Sequence, residues 1–153
     1  AEAQARTEAK LEQLAQVVAI GFRELRREVA ALSQNYGFSL EDIGRVVLPG
    51  YLERHLGVHL GELDRRFFPR DGGEVEINLY GEGTRDGRPV VVLGESKARI
   101  YRREVEQFLE DLRVVEPQVQ AEPIRVLFGF LVHPSAQALA AEAGVLLVAS
   151  YQR

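Results

Sequence analysis

The tetrapeptide Arg85-Asp86-Gly87-Arg88 limits what this chain can fold into more than any other stretch. Asp-Gly between two strand-like runs is a strong signal for a two-residue hairpin turn, because both residues tolerate the positive φ that a type I′ turn demands. Before it, Glu74-Val75-Glu76-Ile77-Asn78-Leu79-Tyr80 alternates strictly. That period predicts a strand with Val75, Ile77 and Leu79 on one face and Glu74, Glu76, Asn78 and Tyr80 on the other. After it, Pro89 through Lys97 reads as the returning strand. A two-residue turn sets Arg85 opposite Arg88, and counting back along both strands sets Asn78 opposite Glu95 and Glu76 opposite Lys97. Opposed residues share a face with Cβ atoms about 4.5–5.5 Å apart. The hairpin is therefore expected to gather Glu76, Asn78, Glu95 and Lys97 into one polar cluster, unless a bulge at Gly81-Glu82-Gly83 shifts the register.

The rest of the chain builds around this hairpin. Residues 1–34 lack proline and place Leu11, Ala15, Val18, Phe22, Leu25, Val29 and Leu32 at alternating steps of four and three. The mean period of 3.5 is that of a coiled coil, with leucines and Val18 at d and Ala15, Phe22 and Val29 at a. Packing of this helix on its own domain is the plainer alternative. Gly37 marks a break, and Ser39-Leu40-Glu41-Asp42 has the form of a capping box. A helix is expected over 40–56, with Ile43, Val46, Val47, Leu52 and Leu56 apolar and Pro49-Gly50 a point of kinking or splitting. Then come a broken strand through Phe67-Phe68, a turn at 69–73, the hairpin, and a helix over 100–116 ending at Pro117. A strand at 124–132, a short helix at 135–143 stopped by Gly144, and a last strand at 145–150 complete the order. The pattern predicts an α/β fold, a mixed β-sheet flanked by helices, over residues 36–153, behind a coiled-coil helix over 1–34.

Composition narrows the class. No apolar run approaches the ~20 residues needed to span a bilayer, and AEAQARTEAK lacks the basic start and apolar core of a secretory signal. The absence of an initiator Met leaves open a fragment or a processed chain. Cysteine is absent, which excludes disulfides, thiolate metal sites and cysteine nucleophiles and fits a cytoplasmic setting. The net charge of −4 means that any nucleic-acid binding must rest on a local basic patch. Of the 19 basic residues only Lys10 and Lys97 are lysines, so Lys97 stands out.

Glu95-Ser96-Lys97 places a carboxylate and an ammonium on the same side of one strand. Such a pair suits phosphodiester hydrolysis. Carboxylates hold Mg²⁺, the metal polarises the phosphate and activates water, and a nearby Lys orients water or stabilises transition-state charge. The plainer alternative is a solvated cross-strand ion pair worth ~0.2–1 kcal/mol.

The stretch Glu74–Asn78, the hairpin, Val90–Lys97 and the helix that follows together resemble the core of the PD-(D/E)XK nuclease-like superfamily. The chain also resembles uncharacterised prokaryotic proteins in which a coiled coil precedes such a domain. The resemblance covers about residues 36–150 and implies a restriction-endonuclease-like core, Mg or Mn as cofactor and DNA as partner. It assigns catalytic roles to Glu95 and Lys97, and metal contacts to Glu95, to the carbonyl of Ser96 and to Glu41 on the preceding helix. Gln107 matches a polar position of some relatives. The superfamily's metal-binding Asp falls on Asn78, whose amide can coordinate a hard cation but brings no charge. Glu76, one pleat repeat away, is a candidate to compensate. The expectations are a metal-dependent DNA phosphodiesterase with an atypical ligand or, alternatively, a non-catalytic nuclease-fold binding or assembly module. An amide substituted to disarm the site would read the same way.

Other residues weigh less. Arg99, Arg102 and Arg103 after the motif, and Arg65, Arg66 and Arg70 before the hairpin, are candidates for phosphate contact or plain surface charge. Glu41 and Asp42 also suit a helix N-terminus. His55 and His59 are four apart, but Gly57 separates them, and His133 is expected at the surface. The coiled coil predicts a homo-oligomer, most simply a dimer.

Overall fold

A computed structural model describes residues 6–14, 16 and 39–152. The chain divides into two compact units, Ala1–Ser39 and Leu40–Arg153. In the first, helix α1 is described at residues 6–14 and 16, where Leu11 and Leu14 are exposed. The other heptad positions, Ala15, Val18, Phe22, Leu25, Val29 and Leu32, lie outside the described residues.

The second unit runs α2 (Leu40–Leu56), β1 (Val58–Leu60), β2 (Asp64–Arg70), β3 (Gly73–Arg85), β4 (Arg88–Ile100), α3 (Arg102–Val115), a 3₁₀ turn (Glu116–Gln118), β5 (Glu122–Val132), α4 (Pro134–Ala143) and β6 (Val145–Ala149). The sheet is mixed. β1 and β2 both pair antiparallel with one edge of β3, β3 pairs antiparallel with β4, and β4, β5 and β6 are parallel neighbours. The expected element order is present. At the hairpin, Asp86 (φ 51°) and Gly87 (φ 76°) both take the positive φ of a type I′ turn, and Arg85 pairs with Arg88.

Helices cover both faces of the sheet. Val91 and Leu93 point into one core with Val105, Phe108 and Leu112 of α3 and Ala136 and Ala140 of α4. Val90 and Val92 alternate to the other face and pack with Leu48 and Leu52 of α2. α3 and α4 lie on the same face, as two like-handed crossovers stepping across a parallel sheet require. Each fully buried large apolar side chain, such as Phe108, contributes about 1.5–3 kcal/mol. Arg125 of β5 ties the helix ends together, pairing with Glu116 at 2.5 and 2.9 Å and donating to the Ala143 carbonyl at 2.6 Å.

Several local expectations change. α2 runs unbroken past Pro49. It turns Gly44, Leu48 and Leu52 inward, while Val46 is 81% exposed. At Gly44 a Cβ would press on Phe128 and Leu79 at 3.2–3.3 Å, so the missing side chain lets the helix sit close to the sheet. Gly83 does the same for β1, because a Cβ there would run into the His59 carbonyl.

The strict alternation expected in β3 fails at one place. Val75, Ile77 and Tyr80 lie in the α3-side core, whereas Leu79 lies in the α2-side core. The pairing with β2 gives the reason. Asp64 pairs with Tyr80 and Arg66 with Ile77, so Arg65 alone opposes both Asn78 and Leu79. Two residues facing one is a β-bulge, which bends the strand and re-aims its side chains. It is at Asn78-Leu79, on the β2 side, rather than at Gly81–Gly83. The β3–β4 register therefore survives as expected, from Arg85↔Arg88 to Leu79↔Gly94.

Candidate functional site at the strand fork

Below Leu79↔Gly94, β3 and β4 part. β3 keeps its pairing with β2, where Glu76 opposes Phe67. β4 keeps its pairing with β5, where Glu95, Ser96 and Lys97 oppose Leu127, Phe128 and Gly129. Gly129 permits that approach, since a Cβ there would meet the Lys97 carbonyl. The bulge residue Asn78 sits at the fork. Its amide oxygen accepts the Ser96 N–H at 3.0 Å, and its amide nitrogen donates to Glu41 Oε1 at 3.3 Å. One side chain thus continues the β3–β4 ladder and joins it to the first turn of α2.

Glu41 is the hub of the acidic side. Its Oε2 receives Arg45 at 3.3 Å and also Arg65. Arg45 donates further to Asp42 at 3.0 Å and to the Asn78 carbonyl at 3.2 Å, which satisfies the backbone oxygen of the bulge. Arg65, directly across from the bulge, spans Glu41 and Glu76, with Nε at 2.9 Å from Glu76 Oε1. The expected Glu76–Lys97 cross-strand pair is not formed, because the strands have separated and Arg65 takes Glu76.

On β4, Lys97 Nζ lies 3.9 Å from Glu95 Oε1, and the Glu95 side chain is only 14% exposed. Burial lifts Glu95 from its ordinary value near 4.5 to about 7, against the pull of Lys97 and with help from Asp111, Glu76 and Glu41. Asp111 of α3 is also raised, chiefly by burial, while the Gln107 hydrogen bond and Lys97 oppose that rise. Gln107 Nε2 donates to Asp111 Oδ1 at 3.4 Å, so Gln107 reaches the fork through its neighbour.

The site thus brings together Glu41, Glu76, Asn78, Glu95, Ser96 and Lys97. The arginines after the motif are less concentrated. Arg102 pairs with Glu106 at 2.9 Å and Arg103 with Glu104 at 3.4 Å, both on the surface of α3, while Arg99 is exposed near the end of β4. His55 packs at a tilt against Tyr51 and His59 pairs with Glu53, so the two imidazoles have separate partners. His133 caps α4, accepting the Ser135 N–H at 3.1 Å. Sequence reasoning missed Asp111, Arg45 and the bridging position of Arg65. Asp111 had a faint signal, four residues beyond Gln107 on the same helix face.

The protein groups here offer a divalent cation few uncommitted ligands. The Asn78 oxygen already accepts a backbone N–H with one of its two lone pairs, and Glu41 and Glu76 are held by Arg65. Glu95 and the Ser96 carbonyl are left as donors, so a hard cation here would draw most of its oxygens from water or a phosphate. Among the described residues no three His, Cys, Asp or Glu side chains gather as a metal-binding group. No helix among them is long and apolar enough to cross a membrane.

No family model and no curated protein matches the chain. Solved structures do. The protein of unknown function AF1548 superposes with a TM-score of 0.50 at 18% identity, over 75% of this chain and 61% of its own. The MspJI restriction endonuclease in complex with a 27-mer oligonucleotide gives a TM-score of 0.53 at 16% identity, over 81% of this chain and 28% of its own. A repair endonuclease from Pyrococcus abyssi matches at a TM-score of 0.42 and 14% identity, over 68% of this chain and 45% of its own. The chain spans less than two thirds of each of these proteins. At such identities the likeness shows the fold alone: the chain shares its architecture with AF1548 and with part of the MspJI endonuclease.

Proposed function

We propose that this domain is a nuclease-fold module that binds nucleic acid without cleaving it through a divalent cation. The observation that carries this reading is the pair of hydrogen bonds made by Asn78. An amide supplies both the acceptor that the Ser96 N–H needs and the donor that Glu41 needs. An aspartate could supply only the first, and would face Glu41 with like charge unless a cation came between them. The fork is therefore chemically complete with the amide in place. Support for nucleic acid as partner comes from the oligonucleotide held by the MspJI endonuclease of like fold, and from Lys97 and Arg99, accessible cations on β4 that suit phosphate. The N-terminal heptads would pair two chains and so present two forks to one duplex.

Fluorescence anisotropy with a labelled duplex, in EDTA and in Mg²⁺ at matched ionic strength, tests the reading beside a supercoiled-plasmid nicking assay. Binding is expected in EDTA, weakened several-fold by Lys97→Ala, with no nicks in Mg²⁺ or Mn²⁺. Nicking by the parent protein that Lys97→Ala abolishes would overturn it and establish the second reading, a metal-dependent DNA phosphodiesterase. That reading is favoured by Glu95 and Lys97, which remain 3.9 Å apart on one strand at the fork. No binding and no nicking would sink both.

A further inference from the structure

We infer that Arg65 is the resident cation of the fork: its guanidinium takes the electrostatic place of a divalent ion between Glu41 and Glu76, and a cation site opens only when Arg65 is removed and Asn78 is made acidic together. The inference rests on the preceding reading in one respect, that the fork of the natural sequence works without a divalent cation.

Three observations converge. The bulge leaves Arg65 as the single residue opposite Asn78 and Leu79, so its side chain starts beside the amide. From there it contacts two carboxylates from different elements, Glu41 on α2 and Glu76 on β3. The guanidinium is a cation at any working pH. Finally, the local charges come close to balance. Three carboxylates, Glu41, Asp42 and Glu76, face two guanidiniums, Arg65 and Arg45.

That balance explains why neither change suffices alone. Asn78→Asp adds one negative charge, but Arg65 still occupies the carboxylates a cation would need. Arg65→Gln frees Glu76 but leaves Glu41 with Arg45 and Asn78, and Asn78 still offers a neutral amide turned to the Ser96 N–H. Together the two substitutions leave four carboxylates, at positions 41, 42, 76 and 78, against Arg45 alone. A divalent ion offsets most of that excess and takes oxygen ligands. A planar guanidinium with five fixed donors is the protein group best suited to bridge two carboxylates, which is why Lys at position 65 would hold the charge but loosen the bridge.

Mn²⁺ is the probe, titrated calorimetrically into the full chain and followed in parallel by thermal unfolding. The Arg65→Gln/Asn78→Asp protein is expected to bind Mn²⁺ at least tenfold more tightly than the parent or either single variant, and to melt higher in its presence. Arg65→Lys/Asn78→Asp is expected to stay near the parent. A parent that binds Mn²⁺ as tightly as the double variant overturns the inference, as does a folded double variant that binds none. Exchange of the Arg65 Nε–H in the parent, read by NMR, needs no variant. It is expected to be at least tenfold slower than that of Arg99, and equal rates would also overturn the proposal. Failure of the parent to bind DNA would sink the preceding reading and leave this titration unaffected.

Discussion

The two halves of β3 are built by different rules. From Tyr80 to Arg85 the strand pairs residue for residue with β4, and the Asp86-Gly87 turn alone fixes that register. Below Leu79, from Gly73 to Asn78, the strand leaves β4, pairs with β2, and carries a bulge whose side chain completes the ladder that the backbone abandons. The upper half pairs with the buried Val90–Leu93 run of β4 but itself turns Glu82, Thr84 and Arg85 to solvent. The lower half sends Val75 and Ile77 into one core, with Leu79 at the join turned into the other, and carries at Asn78 and Glu76 a network whose groups are placed by partners from other elements. Both halves contribute to stability, and the potential for chemistry belongs to the second.

This contrast is open to direct attack. The largest effect is expected in the upper half. Leu93→Ala, opposite Tyr80 and fully buried, should lose about 2–5 kcal/mol in urea unfolding. A loss below about 1 kcal/mol would mean that the ladder is not where stability resides.

Next comes Glu95. Its carboxyl titrates near 7 in the folded chain against about 4.5 when unfolded, so the unfolded chain gives up its proton first as pH rises. The stability present at pH 4.5 and below is therefore lost as pH climbs through 7. Glu95→Gln should remove this dependence and gain roughly 1–3 kcal/mol at pH 8, with little change at pH 4.5. A flat difference across that range would show that the carboxyl is not desolvated.

Asn78→Asp should cost about 1 kcal/mol at pH 8, because the donor to Glu41 becomes a like charge. The cost should shrink at pH 4.5 as a carboxylate takes up a proton, and equal costs at both values would remove Glu41 from the argument. The smallest effect is expected for Val46→Ser on the outer face of α2, within about 0.5 kcal/mol of the parent.

What could be read in advance follows the same division. The turn type, the hairpin register and the shared face of Glu95 and Lys97 depend on residues adjacent in sequence, and short-range rules reach them. The α/β order was legible for the same reason, since each element carries its own period and its own stop, as Gly144 does in ending α4 at φ 69°. The bulge was not legible. Nothing in Ile77-Asn78-Leu79 announces an extra residue, because it exists only relative to the single residue Arg65 on β2. Pairing Glu76 with Lys97 failed by the same cause. The inward turn of Leu48 rather than Val46 was hidden by a run, Val46-Val47-Leu48, in which apolar character alone does not choose a face. Asn78 itself could be picked out from the pattern, but its two partners, a backbone N–H and a helix carboxylate, could not.

Pro49 and the fork also have a bearing on time. The β3–β4 hairpin closes over two residues and can form within microseconds. The fork needs β5 beside β4, and that parallel pairing waits on a crossover through α3. It also needs the first turn of α2, a helix that stays continuous although Pro49 brings it no N–H. The hydrogen bond from Ser96 to Asn78 is thus among the last to form, and by the same logic among the first to open. In hydrogen exchange the Ser96 amide should report the breathing of the fork well before the Leu93 amide reports global unfolding.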